Sequence, residues 1–475
     1  MIEPDIAQKV LSYALSNGGD FAEIFAEDRT ITGISLDDGR VEELSTGSSR
    51  GAGIRVIKGS TSGYAHCADL SEESLLRAAQ GASAVAKSSG KSKIVEVPVL
   101  TNAMNRHSLQ PAKHPGEIEK AAKVALLNIA DQKARDSRLD GEPNKDKKDA
   151  IRQVSASYGD SYRSIVIANS EGLYVTDTQT RTRFSVSCVA IGDTGLQTGY
   201  ESVAETVGFE LFDKYEVGEI AKSAAARALV KLDAIPAPSG EVPVVLAGGS
   251  GGILFHEACG HGLEADHINK EASVYTNKIG QKVASPLVTL VDDGTIGSEW
   301  GTYAFDDEGN PSGRTVLIEN GVLVDYMYDH KRAKQAGKPT WQGNGRRQSY
   351  QCLPMVRMTN TFLLAGTATP EEIISDTPYG IYVAKLGGGQ VNTVTGDFVF
   401  GTIEAYLIEN GKITSPLRDT NLIGNGPDVL SKIDAVANDF GMSPGTCGKD
   451  GQQVPVGCGQ ATLRITGVTI GGTTQ

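Results

Sequence analysis

Apolar and polar positions alternate over long stretches of the chain, and a period of two puts successive side chains on opposite faces of a strand. Residues 21–26 and 30–36 read this way, with Asp37-Asp38-Gly39 as a turn and residues 41–44 as a return. Residues 53–57 and 63–67 flank Lys58-Gly59-Ser60-Thr61-Ser62, a hairpin signal. Alternation dominates again from 151 to 207. Its strands are predicted at 151–156, 164–169, 173–179 and 183–191, with turn chemistry at Ser170-Glu171-Gly172 and at 192–194. The expected product is an antiparallel meander. Helical spacing appears at 4–16, where Ile6, Val10, Leu11 and Ala14 share a side. Ser71 caps a second helix, predicted to run to about Lys87, with Glu72 and Glu73 in its first turn. Residues 116–135 form a third, with Ile118, Ala121, Val124, Leu127 and Ile129 as its apolar side. Residues 216–232 form a fourth, with an alanine-rich packing stripe.

The pattern changes at residues 235–240, IPAPSG, which read as a linker and the main boundary. Beyond it, strands at 315–318 and 322–328 flank Glu319-Asn320-Gly321, and strands at 404–408 and 412–415 flank Glu409-Asn410-Gly411. Asn-Gly is the strongest short hairpin signal. Helices begin at Pro370 and Pro427, and a strand over 461–470 closes the chain. A chain of 475 residues exceeds one hydrophobic core. The predicted class is α+β in three parts. Residues 1–90 form an N-terminal unit with an antiparallel sheet and flanking helices. Residues 91–234 form a middle region of helix plus meander. Residues 235–475 form an antiparallel, β-rich, barrel-like domain. The segment 88–114 is read as a crossing, and 140–149, DGEPNKDKKD, as a solvated loop or tip.

Charge narrows the function. There are 58 acidic against 45 basic side chains, a net of −13, and nucleic-acid binding needs a basic footprint. The N-terminus, MIEPDIAQKV, has no basic-then-apolar leader. No run reaches the roughly 18 apolar residues that span a membrane. A cytoplasmic protein is expected, with no nucleic-acid or membrane partner. The six cysteines show no CxxC pairing and read as reduced thiols.

Candidate chemistry concentrates at residues 248–267, GGSGGILFHEACGHGLEADH, which hold three of the seven histidines. His256 and His261 are five apart. On a regular helix their rings would point about 140° apart, so a shared metal demands a distorted turn. A π-bulge absorbs one residue and realigns them, and Gly260 makes distortion cheap. The glycines lack the Gly-Lys-Ser/Thr of a phosphate loop. A catalytic zinc keeps three protein donors. The residues leave Glu264, His267 and Cys447, in the glycine-rich TCGKDG, open as the third. Glu257 follows the first histidine, where glutamate-base zinc proteases carry their proton acceptor. Its plain alternative is a surface carboxylate. Cys259 has no histidine base placed to make it a nucleophile. His66, His107 and His114 read as structural or surface groups. Residues Gly387, Gly388, Gly389 and Gln390 would let a substrate backbone approach closely, or are a plain loop. Arg346 and Arg347 are candidates to orient a carboxylate or carbonyl, with a surface salt bridge as the default.

HEACGH matches the HExxxH signature of the TldD/PmbA family of metallopeptidases. The chain resembles that family further at 343–360, GNGRRQSYQCLPMVRMTN, at 387–411, GGGQVNTVTGDFVFGTIEAYLIENG, and at 447–473, CGKDGQQVPVGCGQATLRITGVTIGGT. The N-terminal half is similar more loosely, around 36–63. The resemblance implies one Zn²⁺ per chain held by His256, His261 and Cys447, since the cysteine that opens the CGK segment is the family's third ligand. It implies a peptidase acting on peptides or unfolded polypeptides, and a homodimer or a heterodimer with a relative lacking the motif. The rival reading is a non-catalytic peptide-binding or scaffold subunit with a structural metal.

Overall fold

A computed structural model describes residues 1–84, 97–101, 106–138, 150–338 and 342–471. The expected loop at 140–149 and the end of the second helix beyond Ala84 lie outside the described residues.

The strands read separately from the sequence are longer and continuous. They are β1 (Phe21–Asp37), β2 (Arg40–Lys58), β3 (Thr61–Cys67), β4 (Ile151–Asn169), β5 (Tyr174–Gly192) and β6 (Gly195–Glu205). They build one antiparallel sheet in the order β3-β2-β1-β4-β5-β6. The regions 1–90 and 91–234 thus contribute to a single sheet. The turn after β1 has Asp38 and Gly39 at φ 47° and 78°, as its Asp-Gly sequence demands.

Period two explains how β1 serves two masters. Its even positions, Ala22, Ile24 and Ala26, pack under helices Pro4–Leu15 and Glu72–Ser83, and Ile34 and Leu36 pack under Lys120–Arg135 and Val217–Val230. Its odd positions, Glu23, Phe25 and Glu27, are also buried, on the other face. There Phe25, Ile165, Ile167 and Val175 meet Phe305 and Tyr350 of the C-terminal half. Each such apolar side chain contributes about 1.5–3 kcal/mol by leaving water.

One apolar stripe differs from expectation. In Lys120–Arg135 the buried residues are Lys123, Leu127, Ala130 and Ala134, and Ile129 is exposed. Lys123 reaches Asp160 at 2.6 Å in the interior. A buried ion pair took the place that apolar periodicity assigned elsewhere.

The C-terminal half contains a closed barrel. Strands Tyr379–Val391, Gly240–Leu246, Leu463–Gly471, Asn421–Asn425 and Asp397–Glu409 pair in that order, and the last returns to the first. The pair Gly240–Leu246 with Tyr379–Val391 is parallel within an otherwise antiparallel ring. A second, six-stranded sheet ends in the hairpin Gln452–Gln460 with Gly441–Lys449. Both Glu-Asn-Gly turns form as expected. Asn320 and Gly321 have φ 47° and 84°, and Asn410 and Gly411 have 52° and 71°. No helix among the described residues is long and apolar enough to cross a membrane.

Candidate metal centre

Strand Gly240–Leu246 is paired on both edges and so makes a rigid launching point. The chain leaves it through a turn with Gly249 at φ 74°. It then enters the short helix Gly252–Phe255, whose Gly252 lies so close to the Cys458 backbone that a Cβ would meet it at 2.4 Å. The next turn, His256–Gly260, is a π-turn, and the His261 N–H bonds the His256 carbonyl five residues back. This is the distortion that the five-residue spacing demanded. The two rings lie with centroids 5.1 Å apart and planes at 82°.

Gly260 has a different task from the one read in the sequence. Its φ and ψ, −54° and −52°, are ordinary for a right-handed helix. A Cβ there would lie 2.1 Å from the Met358 sulfur. Close packing, not backbone freedom, excludes a side chain.

Cys447 arrives from a strand, not from a loop. It lies in Gly441–Lys449, and the turn beyond has Asp450 and Gly451 at φ 48° and 75°. The buried Arg357 donates to the Cys447 carbonyl and fixes the strand there. The donor atoms of His256, His261 and Cys447 lie within 4.8 Å of one another, all in buried side chains. Cys447 Sγ is 3.4 Å from His261 Nε2. Neither ring nitrogen of His256 has a partner in hydrogen-bond geometry among the described residues, although both are buried. Burial pushes the Cys447 thiol up, but His256 and His261 beside it outweigh this and hold it at about 4.

These residues fit a zinc ion. In a tetrahedral site with ordinary Zn–N and Zn–S bonds, donors sit about 3.3–3.6 Å apart. The sulfur and His261 already have that separation. The buried nitrogens of His256 lack a well-formed hydrogen bond among the described residues, and a bound ion would satisfy one of them. Thiolate with imidazole is a donor set that suits zinc.

The remaining candidates sort by position. Glu264 is fully buried and stands behind His261, with Oε2 3.0 Å from Nδ1. It orients the ring and is not a member of the converging set. Burial would raise its carboxyl, but Lys449 and His261 lower it to about 2. His267 lies 3.8 Å from Glu264 and is not a member of the converging set. Glu257 is about one-fifth exposed, with Oε2 3.8 Å from His261 Nε2. It flanks the donor set without joining it. Cys259 is buried in the apolar core, and burial pushes its thiol up.

Residues 387–389 lie within strand Tyr379–Val391, not in a loop. The parallel pairing with Gly240–Leu246 ends at Val383, and Ser250 Oγ takes the Leu386 N–H. From 387 to 391 the strand has no partner on that edge among the described residues. A Cβ on Gly389 would collide with Phe400 at 2.2 Å, and one on Gly388 would meet open space. The surface salt bridge expected for Arg346 and Arg347 is corrected. They are 3% and 1% exposed. Arg346 donates to the Met358 and Pro455 carbonyls, and Arg347 pairs with Glu23 of β1. Both are caught between the N-terminal sheet and the C-terminal half, so the charge of Arg347 is answered inside the protein.

Lys449 was not singled out in the sequence. It sits two residues after Cys447, hence on the same strand face, and its ammonium is 2.8 Å from both Glu264 and Asp266. The signal was the period-two spacing, hidden by reading the segment as a loop. Cys458, read only as one of the reduced thiols, lies against His256.

Models of PmbA/TldA metallopeptidase domain 1, central domain and C-terminal domain match residues 22–86, 113–232 and 239–472. A metalloprotease TldD homolog of Haemophilus influenzae is 39% identical over 462 residues, covering 96% of this chain and 93% of its own. A metalloprotease of Methanocaldococcus jannaschii is 36% identical, covering 94% and 96%. Among solved structures, a protein from Thermotoga maritima described as a modulator of a DNA gyrase matches with TM-score 0.79 at 20% identity, covering 98% and 99%. TldE from Thermococcus kodakarensis matches with TM-score 0.76 at 21%, covering 98% and 100%. Those two share the fold. With three domain models in order and relatives above one-third identity along nearly its whole length, the chain belongs to the PmbA/TldD family of metallopeptidases.

Proposed function

We propose that the protein is a zinc-dependent peptidase, with His256, His261 and Cys447 holding one Zn²⁺ and Glu257 as the general base. The observation that carries this reading is the buried set of three donors, with both His256 nitrogens unpartnered, beside a carboxylate that reaches solvent. When bound, zinc supplies Lewis acidity toward a water and a scissile carbonyl. Glu257 takes a proton from the attacking water and delivers it to the leaving amine. Glu264 holds His261 through Nδ1 and leaves Nε2 aimed at Cys447. Three converging donors favour this reading over a scaffold with a structural metal, since closed structural zinc sites use four.

The substrate side follows from the free edge at 387–391. An extended peptide would add there as a strand, bound through main-chain amides with little side-chain selectivity. That strand packs against the π-turn that bears Glu257. Unfolded chains and short peptides fit this edge, and folded proteins do not present one without opening. The same reading takes the chain as one half of a dimer.

The test is cleavage by zinc-loaded protein. Glu257→Gln should keep its metal and lose about 10²–10⁴-fold in turnover. Full turnover with full zinc would remove Glu257 from the mechanism. An unfolded polypeptide should be cut faster than its folded form, and N-methylation near the scissile bond should slow cleavage. If neither holds, strand addition is wrong.

A further inference from the structure

Part of β1 lines a cavity of about 400 Å³ between the N-terminal sheet and the C-terminal half. Six arginines line it: Arg29, Arg163, Arg181, Arg183, Arg346 and Arg347. In a chain with net charge −13 this is a concentrated exception. One wall includes Thr446, the neighbour of Cys447, but none of the six arginines belongs to the converging metal donors.

The carboxylates around the cavity answer only two of these charges, Arg163 through Glu27 and Asp307 and Arg347 through Glu23. Asp160 is taken by Lys123 at 2.6 Å and by the Tyr158 hydroxyl at 2.7 Å. Asp307 is taken by Arg163 at 2.9 Å. Burial, with Glu308 close by, pushes the Asp306 carboxyl well up, and its oxygens accept from the backbone amides of Glu308, Asn310 and Gly345.

Among the described residues the other four arginines are left with neutral partners or none. Arg181 is 8% exposed, and its guanidinium donates to the Trp300 and Thr302 carbonyls and the Gln179 amide oxygen. Arg346 has two carbonyls. Neither has a carboxylate within ion-pair distance among the described residues. Arg29 and Arg183 make no ion pair there either. Arg163 Nη2 and Arg347 Nη1 are buried without a hydrogen-bond partner among the described residues. Burial, then repulsion from Arg346 and Arg163, brings Arg181 down to about 9. Buried charge is costly unless paired, so a fold that gathers these cations around an open space leaves room for the missing negative charge. Guanidinium forks match oxyanions in geometry.

We propose that this cavity is a binding site for a small multivalent oxyanion, held by the Arg181 and Arg346 guanidinium groups with Arg29 and Arg183 at its rim. The chemistry is shared by free phosphates and by the clustered carboxylates of an acidic peptide. Two probes separate the sources: inorganic pyrophosphate, and an end-blocked tetraglutamate peptide. Each is titrated into zinc-loaded protein by calorimetry and thermal unfolding, with no cleavage read, so the result is independent of the peptidase reading. At least one probe should bind saturably, raise the unfolding temperature and weaken with salt. Arg181→Met and the rim variant Arg183→Met should each weaken it by about tenfold or more. Without probe, Arg181→Met should unfold at or above the wild-type temperature, because it removes an uncompensated charge. Binding of one probe alone names the source. No binding of either probe, binding unchanged in both variants, or an unliganded Arg181→Met less stable than wild type would overturn the proposal.

Discussion

Two clusters beside the π-turn have the make-up of a metal site, and they differ in one respect. His256, His261 and Cys447 bring three donor atoms within 4.8 Å, and so do Glu264, Asp266 and His267. In the second cluster the Lys449 ammonium stands 2.8 Å from Glu264 and from Asp266. The place of a cation is taken by the protein's own. In the first cluster no lysine or arginine takes that place among the described residues, and two buried nitrogens have no hydrogen-bond partner there. Spacing of donors is therefore a poor guide alone. What separates a site from a structural ion pair is whether the protein has already supplied the charge.

The largest effect should come from the open cluster. His256→Ala or Cys447→Ala should lose the zinc and reduce cleavage to background, read by metal analysis beside a peptide assay. Retained stoichiometric zinc would break the comparison. Lys449→Met strikes the filled cluster. It leaves Glu264 and Asp266 without their cation and should cost about 3–5 kcal/mol in a denaturant titration. Added Mg²⁺ or Mn²⁺ should restore part of that loss in the variant and none in the wild type. The smallest effect should follow Glu264→Gln, which keeps the shape but weakens the hold on His261. Zinc affinity should fall about 10–100-fold, measured by competition with a chelator.

Much of this was legible from residue order. The His256–His261 spacing required a deformed turn, and the π-turn is there. Both Asn-Gly hairpins formed because positive φ at two successive positions suits few residues. What stayed hidden depended on partners distant in sequence. Lys123 lay outside the predicted apolar side of its helix, and Asp160, from β4, draws it into the interior. Arg346 and Arg347 looked like surface charges until the N-terminal sheet covered them. Gly260 looked like a hinge, but its reason is Met358, which arrives from nearly a hundred residues away. Local pattern specifies local geometry. Burial of charge is decided by what packs on top.

Cys447 and Lys449 share one face of one strand, and the turn at Asp450-Gly451 sets the pairing of that strand with Gln452–Gln460. A slip of a single residue in that pairing would rotate both side chains away together. The thiolate and the ammonium are thus two teeth on one ratchet. An inserted residue at this tip would disable the metal donor and the clamp on Glu264 at one stroke, while every donor remained in the sequence.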